Sequence, residues 1–199
     1  MELHLIRHTK TVAPTGMCYG QSDLDLEAGF EDQFDQIFIE LQKICPSPAA
    51  IWSSPLKRCR ILGDFLVGRY ARSDLQLQLD SNLMELNFGE WECRNYNEIP
   101  QAELSHWMAD LAHVAPPGGE SYLQLHSRVK HFYWNMLHQK PEKTQPDRNS
   151  QTNPHVIVVT HGGVVRCFLE LLLSSPLEKS FNLQIQYGKI LSFRLADPE

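Results

Sequence analysis

Three short apolar runs each end in residues suited to phosphate chemistry, and this repetition constrains the fold more than any other feature. The first ends in Leu5-Ile6-Arg7-His8-Thr9, the second leads into Ser53-Ser54-Pro55-Leu56-Lys57-Arg58, and the third ends in Val158-Val159-Thr160-His161-Gly162-Gly163. Each run reads as a buried strand. The later two lead into helical patterns, the signature of strands alternating with helices. In open α/β sheets, ligands bind at the carboxyl ends of the strands. Arg7, Arg58, His8 and His161 are therefore expected to meet at one end of one sheet. Such a group would hold a dianionic phosphate, with a histidine as its nucleophile.

The chain of 199 residues is long enough for one sizeable core. Its net charge of −6 argues against nucleic-acid binding, which scales with Lys and Arg contacts. The start, Met1 to Leu5, has neither a basic segment nor a long apolar one, so no signal peptide is expected. No apolar run is long enough to cross a membrane. The five cysteines are scattered and lack C-x-x-C spacing, and the seven histidines besides His8 and His161 lack H-E-x-x-H spacing. These features predict a reducing, cytoplasmic setting with free thiols, no metal and no cofactor.

Periodicity predicts a strand over 2–6 and an amphipathic helix over 27–44, with Phe30, Phe34, Ile37, Phe38, Leu41 and Ile44 on one face. A strand over 49–52 and a helix over 55–70 follow. Leu75 to Leu79 alternates with period two and reads as a half-buried strand. Residues 88–119 are irregular and aromatic-rich, and are expected to form a cap-like insertion over the carboxyl edge. A helix over 120–138 buries Leu125, Val129, Phe132 and Met136. The polar, proline-containing stretch 139–154 reads as a mobile surface excursion. A central strand over 155–160, a helix over 164–173 and a hairpin of 181–186 with 190–195 complete the pattern. The expected architecture is a three-layer αβα sandwich with a mostly parallel sheet, in a single domain over 1–199.

Taken singly, each motif also has a plain structural reading. Ser53 or Ser54 can cap a helix, Arg58 can pair with a surface carboxylate, and His161 can be satisfied by backbone. Taken together, the segments resemble the histidine phosphatase superfamily, with its phosphoglycerate-mutase-like fold. The segments that carry the resemblance are Arg7-His8-Thr9, Ser54-Pro55-Leu56-Lys57-Arg58, Leu83-Met84-Glu85-Leu86-Asn87-Phe88-Gly89-Glu90-Trp91-Glu92, Pro117-Gly118-Gly119-Glu120-Ser121 and Thr160-His161-Gly162-Gly163. They stand in family order and span nearly the whole chain.

The resemblance implies that His8 attacks phosphorus, that Arg7, Arg58 and His161 hold the phosphoryl oxygens, and that Glu85 acts as acid and then base. Glu90 and Glu92 compete for that last role. Gly162, Gln21 and Tyr19 are implied substrate contacts. The chain departs from the family pattern at Thr9, where glycine is usual, at Lys10, at Pro14 in place of a pocket asparagine, and at Cys93, where glycine is common.

The segment Cys18-Tyr19-Gly20-Gln21-Ser22-Asp23-Leu24 narrows the resemblance to the α-ribazole phosphatase branch. That branch implies α-ribazole 5′-phosphate, or the corresponding cobalamin phosphate, as substrate. Tyr19, Phe88, Trp91, Tyr96 and Trp107 are candidates to cover its flat base, or else ordinary packing residues. A broad-specificity sugar-phosphate or nucleotide phosphatase is the nearest alternative. A mutase is disfavoured because Arg94 is the only Lys or Arg between Phe88 and Ser127. A noncatalytic phospho-ligand binder is disfavoured by the intact set of Arg7, His8, Arg58, Glu85 and His161. The expected partner is a small phosphate monoester, and a homodimer is compatible with the sequence.

Overall fold

The computed structural model describes residues 1–138, 153–174, 176–180 and 182–195. Its centre is a five-stranded sheet of order β3-β2-β4-β1-β5. The strands are β1 (Glu2–Arg7), β2 (Ala50–Ser53), β3 (Leu77–Leu79), β4 (His155–Thr160) and β5 (Ile190–Arg194). β1, β2 and β3 run in one direction with β4, and β5 runs antiparallel to β1 at the edge.

Alternation along the strands sends side chains to two separate cores. Leu3, Leu5, Val156 and Val158 pack under α4 (Tyr122–His138) and α5 (Gly162–Leu173). Ile6, Ile51, Ile157 and Val159 pack under α1 (Phe30–Ile44) and α2 (Lys57–Tyr70). Helices thus cover both faces of a mostly parallel sheet, the expected sandwich. A short helix, α3 (Gln101–Ala109), lies in the aromatic-rich segment, and α6 (Leu177–Ser180) follows α5.

Several boundaries differ from the sequence-based expectation. The first helix begins at Phe30, not Glu27. Leu26 bridges to Thr11 and the Glu27 amide donates to the Lys10 carbonyl, so this stretch is held extended. Gly29 then turns the chain with a left-handed φ of 82°. The strand expected over 75–79 pairs only from Leu77, although Leu75 is buried. The glycines after His161 form the first turn of α5, so that helix starts two residues earlier than expected. Among the described residues the terminal hairpin is not formed. Residues 182–189 are turns and extended loop, and β5 takes its partner from β1 instead. The stretch 139–152, expected to be a mobile excursion, lies outside the described residues. No helix of the described residues is long and apolar enough to cross a membrane.

Candidate active site

The three neighbouring parallel strands β2, β4 and β1 end side by side, which brings their terminal motifs together. His8 follows β1 and is buried. Its Nδ1 lies 2.6 Å from the Thr9 carbonyl, which can only accept, so Nδ1 carries the proton and Nε2 keeps its lone pair. Burial, helped by the Arg58 and Arg7 charges, holds this imidazole well below the ordinary value of 6.5. The ring is therefore neutral at physiological pH.

His161 packs edge-on against His8, with ring centroids 5.1 Å apart. Its Nδ1 accepts from Arg58 Nε at 3.3 Å, so Nε2 carries the proton and points to Ser54 Oγ at 2.8 Å. Burial and then the Arg58 charge also keep His161 well below 6.5. The Cys59 thiol touches the same ring, 3.4 Å from Nε2, and burial pushes that thiol upward, so it stays protonated.

Arg58 is fully buried on the first turn of α2. It donates to the Ser22 carbonyl at 2.8 Å and to the Gly20 carbonyl. Arg7 donates to the Ile185 carbonyl, stacks 3.8 Å from the Tyr187 ring centroid, and leaves Nε buried without a partner. Among the described residues, neither arginine has a carboxylate in ion-pair range. Buried guanidinium charge without a counter-ion is costly, and an anionic ligand relieves that cost.

Glu85 lines the same cavity as Arg7 and Arg58. Its carboxylate accepts from the Leu86 and Gly163 amides, both at 3.0 Å. A side chain at position 163 would collide with Glu85 Oε1, so only glycine permits this approach. The Glu85 carbonyl accepts from Arg128 at 2.9 Å and from Gln21 Nε2 at 3.1 Å. Arg128 also grips the Asn82 and Met84 carbonyls and pairs with Glu120, whose carboxylate takes the Asn87 amide at 2.9 Å. Glu120 and Arg128 thus hold the 82–87 segment in place.

The other acid candidates sit elsewhere. Glu92 accepts from the amides of Gly20, Gln21, Ser22 and Phe88 at 2.9–3.0 Å. Burial disfavours its charge, but bonds from Ser22, Gly20, Gln21 and Phe88 outweigh it and hold the carboxyl below its usual range. It anchors the loop whose carbonyls hold Arg58, and neither it nor Glu90 lines the cavity.

The cavity of about 570 Å³ is lined by Arg7, His8, Arg58 and Glu85 on one side. On the other stand Phe88, Tyr96, Leu104, Trp107 and Met108. Of the expected aromatic cover, Tyr19, Phe88, Tyr96 and Trp107 face the cavity. Trp91 does not; it is buried behind Trp107 and donates to Glu103 at 3.2 Å. Gln21 and Gly162 also lie off the cavity wall, Gln21 holding the Glu85 backbone and Gly162 opening α5.

Several lining residues escaped the sequence reading, among them Leu104, Met108, Tyr122, Arg166 and Tyr187. Arg166 falls one turn after Gly162 on α5, a spacing that could have flagged it, and donates to the Ser180 and Leu183 carbonyls. Tyr187 comes from the turn before β5, its hydroxyl 3.1 Å from that of Tyr19. No local pattern announced it.

The departures are readable too. Thr9 is buried with its hydroxyl unpartnered, while its carbonyl orients His8. Pro14 is exposed, its carbonyl taking the Met17 amide in a turn. Cys93 holds φ at 61°, the backbone that makes glycine common at this place.

Comparison with known proteins agrees with this geometry. Over 194 residues the chain is 27% identical to the adenosylcobalamin/alpha-ribazole phosphatase of Escherichia coli K12, covering 94% of this chain and 87% of that protein. Over 175 residues it is 29% identical to the glucosyl-3-phosphoglycerate phosphatase of Mycobacterium tuberculosis, covering 79% of this chain and 74% of that one. The crystal structure of the alpha-ribazole phosphatase from Shigella flexneri superposes with a TM-score of 0.82 at 23% identity, over 98% of this chain and 91% of that one. The family model for the histidine phosphatase superfamily, branch 1, matches residues 3–198, so the chain belongs to that family and is a phosphatase of its kind.

Proposed function

We propose that this protein hydrolyses phosphate monoesters through a phosphohistidine on His8, and that its substrate is α-ribazole 5′-phosphate or the corresponding cobalamin phosphate. The observation that carries the chemistry is the pair of carboxylate-free guanidiniums, Arg58 fully buried and Arg7 half-buried with its Nε enclosed, beside a neutral imidazole. In this reading the phosphoryl oxygens are held by Arg7, Arg58 and His161. His8 Nε2 forms the bond to phosphorus as the ester P–O bond breaks. Glu85 gives its proton to the departing alkoxide. It then takes a proton from water, which attacks the phosphohistidine and releases inorganic phosphate. The groups assigned to these steps are all side chains of the chain itself.

The substrate assignment rests on the opposite wall. Phe88, Leu104, Trp107 and Met108 offer apolar and aromatic surface to the leaving group, with no cation among them. A flat aromatic base suits that wall. We read residues 88–119 as a cap within a single domain over 1–199. Four of the five cysteines are buried free thiols, which supports a reducing, cytoplasmic setting.

Arg166 favours a second reading, because a cation on the cavity wall suits a substrate carboxylate such as that of a glucosyl-3-phosphoglycerate. Phosphate release without added metal separates the two. The panel is α-ribazole 5′-phosphate, glucosyl-3-phosphoglycerate, 3-phosphoglycerate, ribose 5-phosphate, AMP and an aryl phosphate. A clear kcat/KM preference for the first compound supports the proposal. Preference for the second transfers the assignment, and comparable rates across the panel leave a broad-specificity phosphatase.

A further inference from the structure

The sheet carries a second cluster of chemically capable side chains at the opposite end of β1. Alternation puts His4 on the α1 and α2 face, beside His155 at the start of β4. His4 Nε2 and His155 Nδ1 are 2.9 Å apart, with their rings parallel to within 3°. Cys45, at the C-terminal end of α1, completes the group, and its thiol and the two imidazoles lie within 4.8 Å of one another. His4 and Cys45 are buried and His155 is partly exposed, so the cluster has one side open to solvent. On its far side His4 Nδ1 meets Ser192 Oγ at 2.8 Å. β1 rises roughly 3.3 Å per residue, so His4 stands about 13 Å from His8 along the chain.

We propose that His4, Cys45 and His155 form a zinc site that ties β1, β4 and the end of α1 together. Zinc takes imidazole nitrogen and cysteine sulfur in tetrahedral sites, with Zn–N of about 2.0–2.1 Å and Zn–S of about 2.3 Å. A thiolate with two imidazoles selects this class of ion over magnesium or calcium. The Ser192 hydroxyl accepts the Nδ1 proton of His4, leaving Nε2 as donor to the metal, the orienting contact that metal-bound histidines use. On binding, His155 shifts its proton to Nε2 and the metal replaces the hydrogen shared between the rings. The two nitrogens then part to about 3.3 Å, as tetrahedral angles at those bond lengths require. The thiol proton of Cys45 leaves to solvent, and a water completes the fourth position on the open side.

Linear sequence spacing hides this site, because its three donors come from three separate segments. It lies apart from the phosphate pocket, so loading it is expected to change stability and leave the chemistry alone. The test uses the full-length protein, freed of metal by a chelator and titrated with Co²⁺ and Zn²⁺. One equivalent of Co²⁺ is expected to give a thiolate-to-cobalt charge-transfer band, which one equivalent of Zn²⁺ erases. Cys45→Ser abolishes the band, and His155→Gln weakens binding at least tenfold. Cys59→Ser, which alters the thiol against His161, leaves the band in place. Zinc raises Tm by several degrees in the wild type and not in Cys45→Ser, while kcat/KM of Cys45→Ser stays within twofold of wild type. A wild-type protein that shows no band, or a band that survives Cys45→Ser, overturns the proposal. Cys45→Ser failing to fold leaves His155→Gln, at its partly exposed position, to decide by the same readout: unchanged affinity there overturns it.

Discussion

The two walls of the cavity are built on opposite principles. The floor, around Arg7, His8, Arg58 and Glu85, is made of charged and polar groups, nearly every one fixed by a named hydrogen bond. His8 is set by the Thr9 carbonyl, His161 by Arg58 and Ser54, and Glu85 by two amides. The facing wall, from Phe88 to Met108, is held by packing, with Phe88 and Trp91 both edge-on to Trp107. A floor of this kind fixes the reaction, because preorganised donors act where charge develops. A wall of this kind fixes which alcohol leaves, through area and shape. Changes to the floor should therefore act alike on every phosphate ester, and changes to the wall should act on some and not others.

The sharpest test of the floor is His8→Ala. Activity is expected to fall by roughly 10⁴-fold or more on every ester, as when a covalent nucleophile is removed from a coupled set. Tm should stay close to wild type. Substantial turnover in that variant would end the assignment of the nucleophile. Glu85→Gln comes next. For esters of poor leaving groups, loss of a positioned acid costs about 10²–10⁴-fold. An aryl phosphate, whose leaving group needs no proton, should lose roughly tenfold or less. Equal losses on both would move the acid role elsewhere.

Glu92 joins floor and wall, since it holds the Gly20 to Ser22 loop and the Phe88 amide at once. Glu92→Gln keeps the shape but removes charge and acceptor capacity from four amide donors. We expect a loss of about 1–3 kcal/mol in urea unfolding. The rate should drop on all esters together, because Arg58 loses the loop that carries its carbonyl partners. A drop confined to α-ribazole 5′-phosphate would place Glu92 with the wall instead. Trp107→Ala probes the wall alone. It should cost about tenfold in kcat/KM for α-ribazole 5′-phosphate, the scale of one lost aromatic contact, and little for ribose 5-phosphate. Equal losses on the two would show that the wall does not select the base.

The same contrast explains what the amino-acid sequence made legible. Arg7, His8, Arg58 and His161 were readable because each sits at or just past the end of an apolar run, and parallel strands must bring such ends together; Glu85 was implied by the family resemblance alone. The sandwich was readable for the same reason, as were the buried positions of α4, Leu125, Val129, Phe132 and Met136. The wall was legible as a region but not in detail. α3 buries none of its residues, so its sequence carries no stripe to read. Trp91 and Trp107 look alike in sequence, and only the fold turns one inward and the other to the cavity. Tyr187 and the absent hairpin share one cause: β5 bonds to β1, far away in sequence, and local alternation cannot see that partner. Gln21 was readable as a site residue by motif, yet its carboxamide supports Glu85 from behind.

The smallest expected effect concerns pH, and it also separates floor from wall. On the floor, burial and the Arg58 charge keep His8 and His161 well below 6.5. On the wall, burial pushes the Tyr96 hydroxyl upward, and at the cavity edge it pushes Tyr19 up to about 12, so neither titrates between pH 5 and 8. In the unfolded chain both histidines take up a proton as pH falls through 6.5. In the folded chain they do not, so the unfolded state binds more protons and gains stability relative to the native state. Stability is then flat above the ordinary imidazole value and declines below it, by up to roughly 1.4 kcal/mol per pH unit for each such group. Urea unfolding at pH 7.5 and 5.5 measures the decline. His8→Ala should shrink it by one histidine's share, whereas Tyr96→Phe should leave it unchanged. An identical decline in wild type and His8→Ala would mean that His8 charges freely in the folded protein. A charged His8 would lack the Nε2 lone pair that attack on phosphorus requires, and the floor would lose its nucleophile.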